Sequence, residues 1–223
     1  MIKGYLRTTM IILIGSQKGG CGKSTLTTNI AAALAVASND VMLVDADKQA
    51  SSSNWFLDRS ENPKLPPVHS VQKYDDVRAS IIDLSKRYQY VIIDAAGRDS
   101  IELRTSMIVA DVLVMPVRPS QFDLDTVPRM NEIYNDAKLL NPNLKFKAVI
   151  TMGPTNPVIN EAEEAQNFFK NYPNISLLKT IVRERKVYRD AISGLGLGVV
   201  EMNNNKAKEE IKSLLLEVLE DGV

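Results

Sequence analysis

The run Gly15-Ser-Gln-Lys-Gly-Gly-Cys-Gly-Lys-Ser-Thr25 concentrates glycines, lysines and hydroxyls in one short segment. Glycines 19, 20 and 22 let the backbone curl so that several N–H groups, flanking Cys21, point at one spot. A helix starting behind them adds the positive end of its dipole, so the segment has the chemistry of an anion cradle. Lys23 then falls where β- and γ-phosphates would lie, Ser24 offers its hydroxyl to Mg²⁺, and Thr25 follows in the first helical turn. Two features depart from the general phosphate-loop pattern. Gln17 stands where that pattern has glycine, and a second lysine, Lys18, lies inside the loop.

Two further segments end in acids. Val41-Met-Leu-Val-Asp-Ala-Asp47 carries carboxylates two apart, which on a strand face one side. Tyr90-Val-Ile-Ile-Asp94 is followed by Ala-Ala-Gly97. A carboxylate at a strand tip holds Mg²⁺ through water, because that ion keeps much of its hydration. The plainer role for Asp45 or Asp47 is to cap the next helix. Gly97 either admits a close backbone approach to a terminal phosphate or simply makes a turn.

These groups need elements that bring them together. Short apolar runs at 10–14, 41–45, 68–71, 90–94, 112–116, 146–151 and 175–181 read as strands. Helical patterns at 23–37, 75–87, 124–140, 158–171 and 205–220 lie between or after them. Strands apolar throughout are buried on both faces, and alternation with helices implies right-handed crossovers. The expected architecture is therefore α/β: a doubly wound, mostly parallel sheet flanked by helices, with ligands at the carboxyl ends of its strands. The 223 residues fit one domain over 1–223 with a short tail at 1–9.

Composition narrows the class further. Lys plus Arg (27) cancels Asp plus Glu (27), so any nucleic-acid contact must be a local patch. One cysteine excludes a disulfide scaffold and points to a reducing compartment. His69 has no histidine or cysteine neighbour with which to bind metal. The segment 179–190 holds five basic and two acidic residues and is a candidate phosphate-backbone patch.

Lys18-Gly-Gly-Cys-Gly-Lys-Ser-Thr25 resembles the deviant Walker A motif of the ParA/MinD P-loop ATPases. The likeness extends to Asp45-Ala-Asp-Lys-Gln49, similar to the Asp-x-Asp-Pro-Gln segment of ParA proteins with Lys48 replacing proline, and to a Walker B-like strand ending at Asp94. It covers the chain from Ile11 to about Leu219 and is strongest toward the short ParA/ParF branch. It implies ATP and Mg²⁺ as ligands, with Ser24, Asp45 and Asp94 around the metal. It implies that Asp47 orients or deprotonates the attacking water and that Lys18 reaches the nucleotide of a second subunit, so that two monomers sandwich two ATP molecules. Relatives place adenine between the loops after strands 112–116 and 146–151, making Pro116 and Met152 candidates. Non-specific DNA contact falls to Arg183, Arg185, Lys186 and Arg189.

The implied function is a cytoplasmic, nucleoid-associated ATPase, weak alone and stimulated by a centromere-binding partner, that segregates plasmid or chromosomal DNA. The alternative is a positioning factor of the MinD type or a carrier of chemoreceptors or microcompartments. The apolar stripe of the last helix sits beside more acids than lysines, which disfavours a membrane role. Nitrogenase-type reductases, which need cluster-ligating cysteines, are excluded by the single Cys21.

Overall fold

The computed structural model describes residues 9–155 and 161–220. The apolar runs form β1 (Met10–Ile14), β2 (Val41–Ala46), β3 (His69–Gln72), β4 (Tyr90–Ala95), β5 (Val112–Val117), β6 (Lys145–Gly153) and β7 (Ser176–Arg183). They make one parallel sheet of order β3-β2-β4-β1-β5-β6-β7. Parallel neighbours require long crossovers, which helices supply. These are α1 (Lys23–Val36), α2 (Ser51–Ser60), α3 (Arg78–Ser85), α4 (Ile101–Val109), α5 (Gln121–Leu124), α6 (Val127–Leu140), α7 (Glu161–Phe169), α8 (Lys186–Ile192) and α9 (Asn205–Leu219).

The inner strands feed two cores. Ile11 and Leu13 join Ile93, Met107, Met130 and Ile133 on one face, while Ile12 and Ile14 join Leu26, Ile30, Trp55 and Leu214 on the other. Burial on both faces is the reason these strands read as unbroken apolar runs. α1 is buried nearly all round, and its alanines permit close packing between the sheet and α9. α9 turns Ala207, Ile211, Leu214 and Val218 inward, so its apolar stripe is spent on the domain. Among the described residues no helix is long and apolar enough to cross a membrane.

The structure departs from the sequence reading at the helices. α2, α4 and α8 lie outside the helical patterns legible in the sequence. The helix expected over 124–140 starts later, at Val127, with Pro128 lacking an N–H in the first turn of α6, and the separate turn α5 precedes it. The expected helix over 75–87 shortens to α3, since Asp75 adopts a left-handed φ of 64°. Residues 158–160 of the expected helix over 158–171, and residues 1–8 of the expected tail, lie outside the described residues.

Candidate active site

β1 lies between β4 and β5, and strand order runs outward from it in both directions. The carboxyl ends of the strands there open the crevice in which such sheets bind ligands. A cavity of about 590 Å³ occupies it, a volume ordinary for a small-molecule site. Gly19, Gly20, Gly22, Lys23, Ser24 and Thr25 line it from the glycine bend. Asp47, Lys48, Gln49 and Ser51 come from the turn after β2, Ala96, Gly97 and Arg98 from the turn after β4, and Met152 from the end of β6.

The glycine bend is held from several sides. Gly22, at φ 94°, breaks from β1 into α1 and supplies no side-chain cap, so the first amides of the helix stay available to an anion. Thr151 Oγ1 donates to the Cys21 carbonyl at 2.8 Å, and the Arg118 guanidinium donates to the Gly20 carbonyl. Cys21 itself is buried. Lys23 is only 7% exposed, and its Nζ donates to the Lys18 carbonyl at 3.1 Å. The turn after β4 lies flat against this lysine. A Cβ on Gly97 would stand 2.6 Å from Lys23 Nζ and 2.7 Å from the Lys18 carbonyl oxygen, so glycine is required here for the turn to pack against the phosphate-loop lysine.

Sheet register places two acids abreast. Asp94 pairs with Ile14 on one side and Asp45 on the other, so both carboxylates face the layer that contains α1. Asp45 spends its oxygens on the backbone, accepting from Asp47 N at 3.1 Å and from Ser53 N, in the first turn of α2, at 2.8 Å. These bonds give Asp45 the capping role at the start of α2, with one lone pair left on each oxygen for a second partner. Asp47 lies just beyond β2 rather than on it. Its Oδ1 accepts from Gln49 N at 3.0 Å, and the residue borders the cavity.

Asp94 is different. Both of its oxygens are buried without a hydrogen-bond partner of ordinary geometry. Burial, reinforced by the negative charge of Asp45, pushes its carboxyl up to about 7, although Ser24, Ser52 and Lys23 act in the opposite direction. A bare buried carboxylate beside the Ser24 hydroxyl is a hard oxygen donor set, the kind that suits Mg²⁺. Among the described residues no group of three or more His, Cys, Asp or Glu side chains could hold a metal ion, so an ion at Asp94 would complete its shell with water and ligand oxygens.

Lys18, expected to serve a second subunit, has a partner in its own chain. Its Nζ lies 2.7 Å from Asp123 Oδ2, which also accepts from Ser120 Oγ at 2.8 Å. The same ammonium sits 5.8 Å from the ring centroid of Phe122, itself 81% exposed.

Met152 borders the main cavity as expected, and it does so at a left-handed φ of 52°, a strained conformation of the sort found at functional positions. Pro116 does not reach the cavity. It is buried within β5 opposite Val149, where the strand's inner position, not its end, determines its surroundings. A second, more apolar cavity of about 120 Å³ opens beside Gly22, Leu26, Met152, Arg183, Tyr188 and Ile192.

The basic stretch is largely neutralised. Arg183 donates to the Pro154 carbonyl, and Arg185 pairs with Glu210 at 2.6 Å, both side chains mostly buried. Lys186 and Arg189 are exposed on α8, with salt bridges to Asp190 at 2.9 Å and Glu184 at 3.4 Å. Five cavity residues escaped the sequence reading as site residues: Lys48, Gln49, Ser51, Ala96 and Arg98. Arg98, next to Gly97 and four residues beyond Asp94, carried the one signal that could have found it.

Comparison with known proteins agrees with this geometry. The sequence profile of the CobQ/CobB/MinD/ParA nucleotide binding domain matches residues 12–220. Maintenance of carboxysome distribution protein A of Halothiobacillus neapolitanus is 28% identical over 212 residues, spanning 93% of this chain and 95% of that protein. Chromosome partitioning protein ParA of Myxococcus xanthus is 24% identical over 210 residues, spanning 75% and 74%. Among solved structures, the ATP complex of a Cyanothece McdA variant superposes with a TM-score of 0.79 at 16% identity, covering 96% of this chain and 97% of that one. A plasmid partition protein from Borrelia burgdorferi superposes with a TM-score of 0.69 at 19% identity, covering 96% and 99%. At such identities the structural likeness establishes the fold.

Proposed function

The chain belongs to the CobQ/CobB/MinD/ParA nucleotide-binding family, and from that premise we propose that it is a magnesium-dependent ATPase that dimerises around ATP. The dimer binds DNA without sequence preference and, with a centromere-binding partner protein, drives partition of a plasmid or chromosome. The observation that carries this reading is the cavity lined by the glycine bend and the buried Lys23, with the bare Asp94 buried beside its Ser24 and the second lysine, Lys18, bonded through its carbonyl to Lys23.

In this reading Lys23 and the first amides of α1 bind the β- and γ-phosphates, and Gly97 brings the turn after β4 against them. Ser24 and Asp94 would hold Mg²⁺, which supplies charge neutralisation for the phosphates when bound. Asp47 orients the attacking water and accepts its proton. Lys18 leaves Asp123 and enters the partner subunit's site, where a cation meets charge developing on the transferred group. Lys186 and Arg189 are the exposed cations for DNA, whereas Arg183 and Arg185 are engaged by the Pro154 carbonyl and Glu210.

A second reading rests on a specific observation. The match to a carboxysome distribution protein runs nearly end to end in both chains, which favours the same cycle applied to positioning a protein cargo. ATP turnover measured alone, with DNA, and with DNA plus extract of the native host tests both. A rise requiring DNA and a host protein supports partition or positioning, and the DNA or protein cargo recovered with that host protein chooses between them. Stimulation by anionic vesicles in place of DNA overturns both.

A further inference from the structure

We propose that Arg98 is a further catalytic residue, a guanidinium delivered in cis to the γ-phosphate from the turn after β4. This inference rests on the ATPase reading above. Arg98 lines the main cavity together with Lys23 and Asp47. Its position is fixed from both sides. Before it, Gly97 packs so tightly against Lys23 Nζ and the Lys18 carbonyl that no Cβ fits. After it, Asp99 is gripped by Arg104 at 2.7 and 2.9 Å and by Arg129 at 3.0 Å, and Ser100 caps α4 through Leu103 N at 3.1 Å.

Every neighbour in this turn is thus committed to a contact, whereas Arg98 is exposed and pairs with no acid or carbonyl among the described residues. Arg104 and Arg129 are consumed by Asp99, so a local acid was available, yet Arg98 is left facing the cavity. Lys48, the other cavity cation outside the glycine bend, feels Glu102 nearby, and its charge is therefore partly compensated within the chain. An uncompensated guanidinium held on a rigid turn beside the phosphate lysine matches the planar, bidentate recognition of phosphoryl oxygens that arginine performs better than lysine.

The water oxygen bonds to the γ-phosphorus, the bond from that phosphorus to the β–γ bridging oxygen breaks, and its electron pair leaves with ADP. One proton of the water passes to the Asp47 carboxylate. Charge growing on the equatorial and bridging oxygens is where a preorganised cation acts.

Arg98→Ala and Arg98→Lys are compared with the native protein in single-turnover hydrolysis and in calorimetric binding of two probes, AMPPNP and ADP with aluminium fluoride, both with Mg²⁺. Removing one preorganised donor should slow Arg98→Ala hydrolysis roughly 100-fold. Its affinity for ADP–aluminium fluoride should fall by a similar factor, while AMPPNP affinity changes less than about threefold, since only transition-state binding is removed. Arg98→Lys should recover part of both, because charge survives without the fork. Native hydrolysis by Arg98→Ala, or equal weakening of both probes, overturns the assignment of Arg98 while leaving the ATPase intact. Failure of the native protein to bind either probe overturns the ATPase reading and this inference with it.

Discussion

Asp94→Asn makes a prediction whose size follows from burial. The native carboxyl is raised from its ordinary 3.8 to about 7, chiefly by burial. Between those values the folded protein retains a proton that the unfolded chain has released, so stability falls as pH climbs from about 4 to about 7 and stays lowered above that. At roughly 1.4 kcal/mol per pH unit, the full penalty is at most about 4 kcal/mol. Asparagine keeps the shape and has no charge to bury. In buffer free of metal and nucleotide, the variant should therefore be more stable than the native protein at pH 8, with a melting temperature higher by up to roughly 10 °C. At pH 4.5 the native carboxyl is neutral in the fold, and most of the difference should vanish. Thermal unfolding followed by circular dichroism from pH 4.5 to 8.5 reads this directly. With Mg²⁺ and ATP present the order should reverse, because the variant lacks the negative charge and second oxygen that would hold the ion. A stability difference that does not change with pH, or a variant less stable at pH 8 without ligand, refutes the reasoning.

Three other outcomes are expected. Lys23→Ala should abolish ATP binding in calorimetry if the buried ammonium holds the β- and γ-phosphates as proposed. Asp123→Asn should lower the ATP concentration for half-maximal dimerisation by up to about fivefold, because it frees Lys18 from a partly exposed pair worth at most about 1 kcal/mol; sedimentation velocity measures this. Lys186→Ala with Arg189→Ala should weaken DNA binding in gel shifts and flatten its dependence on log salt by roughly two, one for each phosphate no longer neutralised.

How much of this could be read from the chain depended on range. The five inner strands were legible because they are largely buried on both faces, so apolarity marks them, whereas the edge strands β3 and β7 are partly exposed and were found through Val68 to Val71 and Ile175 to Ile181 between turn residues. The glycine bend was legible because its chemistry is contiguous, from Lys18 to Thr25. α2 was not, since its opening Ser-Ser-Ser-Asn has little apolar period and its anchors are Trp55, bonded to the Leu197 carbonyl at 3.0 Å, and Arg59, paired with Glu201 at 2.8 Å. Those partners lie far along the chain. The same limit hid Lys18 with Asp123, 105 residues apart, and Arg185 with Glu210, 25 apart. The juxtaposition of Asp45 with Asp94 is a property of strand register, and the Asp45 carboxylate could be assigned to capping only once α2 was in place.

The sandwich of two subunits around ATP is tested most directly by light scattering of Asp47→Ala with saturating MgATP, a variant that, with the proposed water-positioning carboxylate removed, should bind the nucleotide without turning it over. A species of about twice the monomer mass should form, and it should revert to monomer when Lys18 is also changed to Ala. Monomer alone at saturating MgATP, or a dimer indifferent to Lys18, would contradict the shared site.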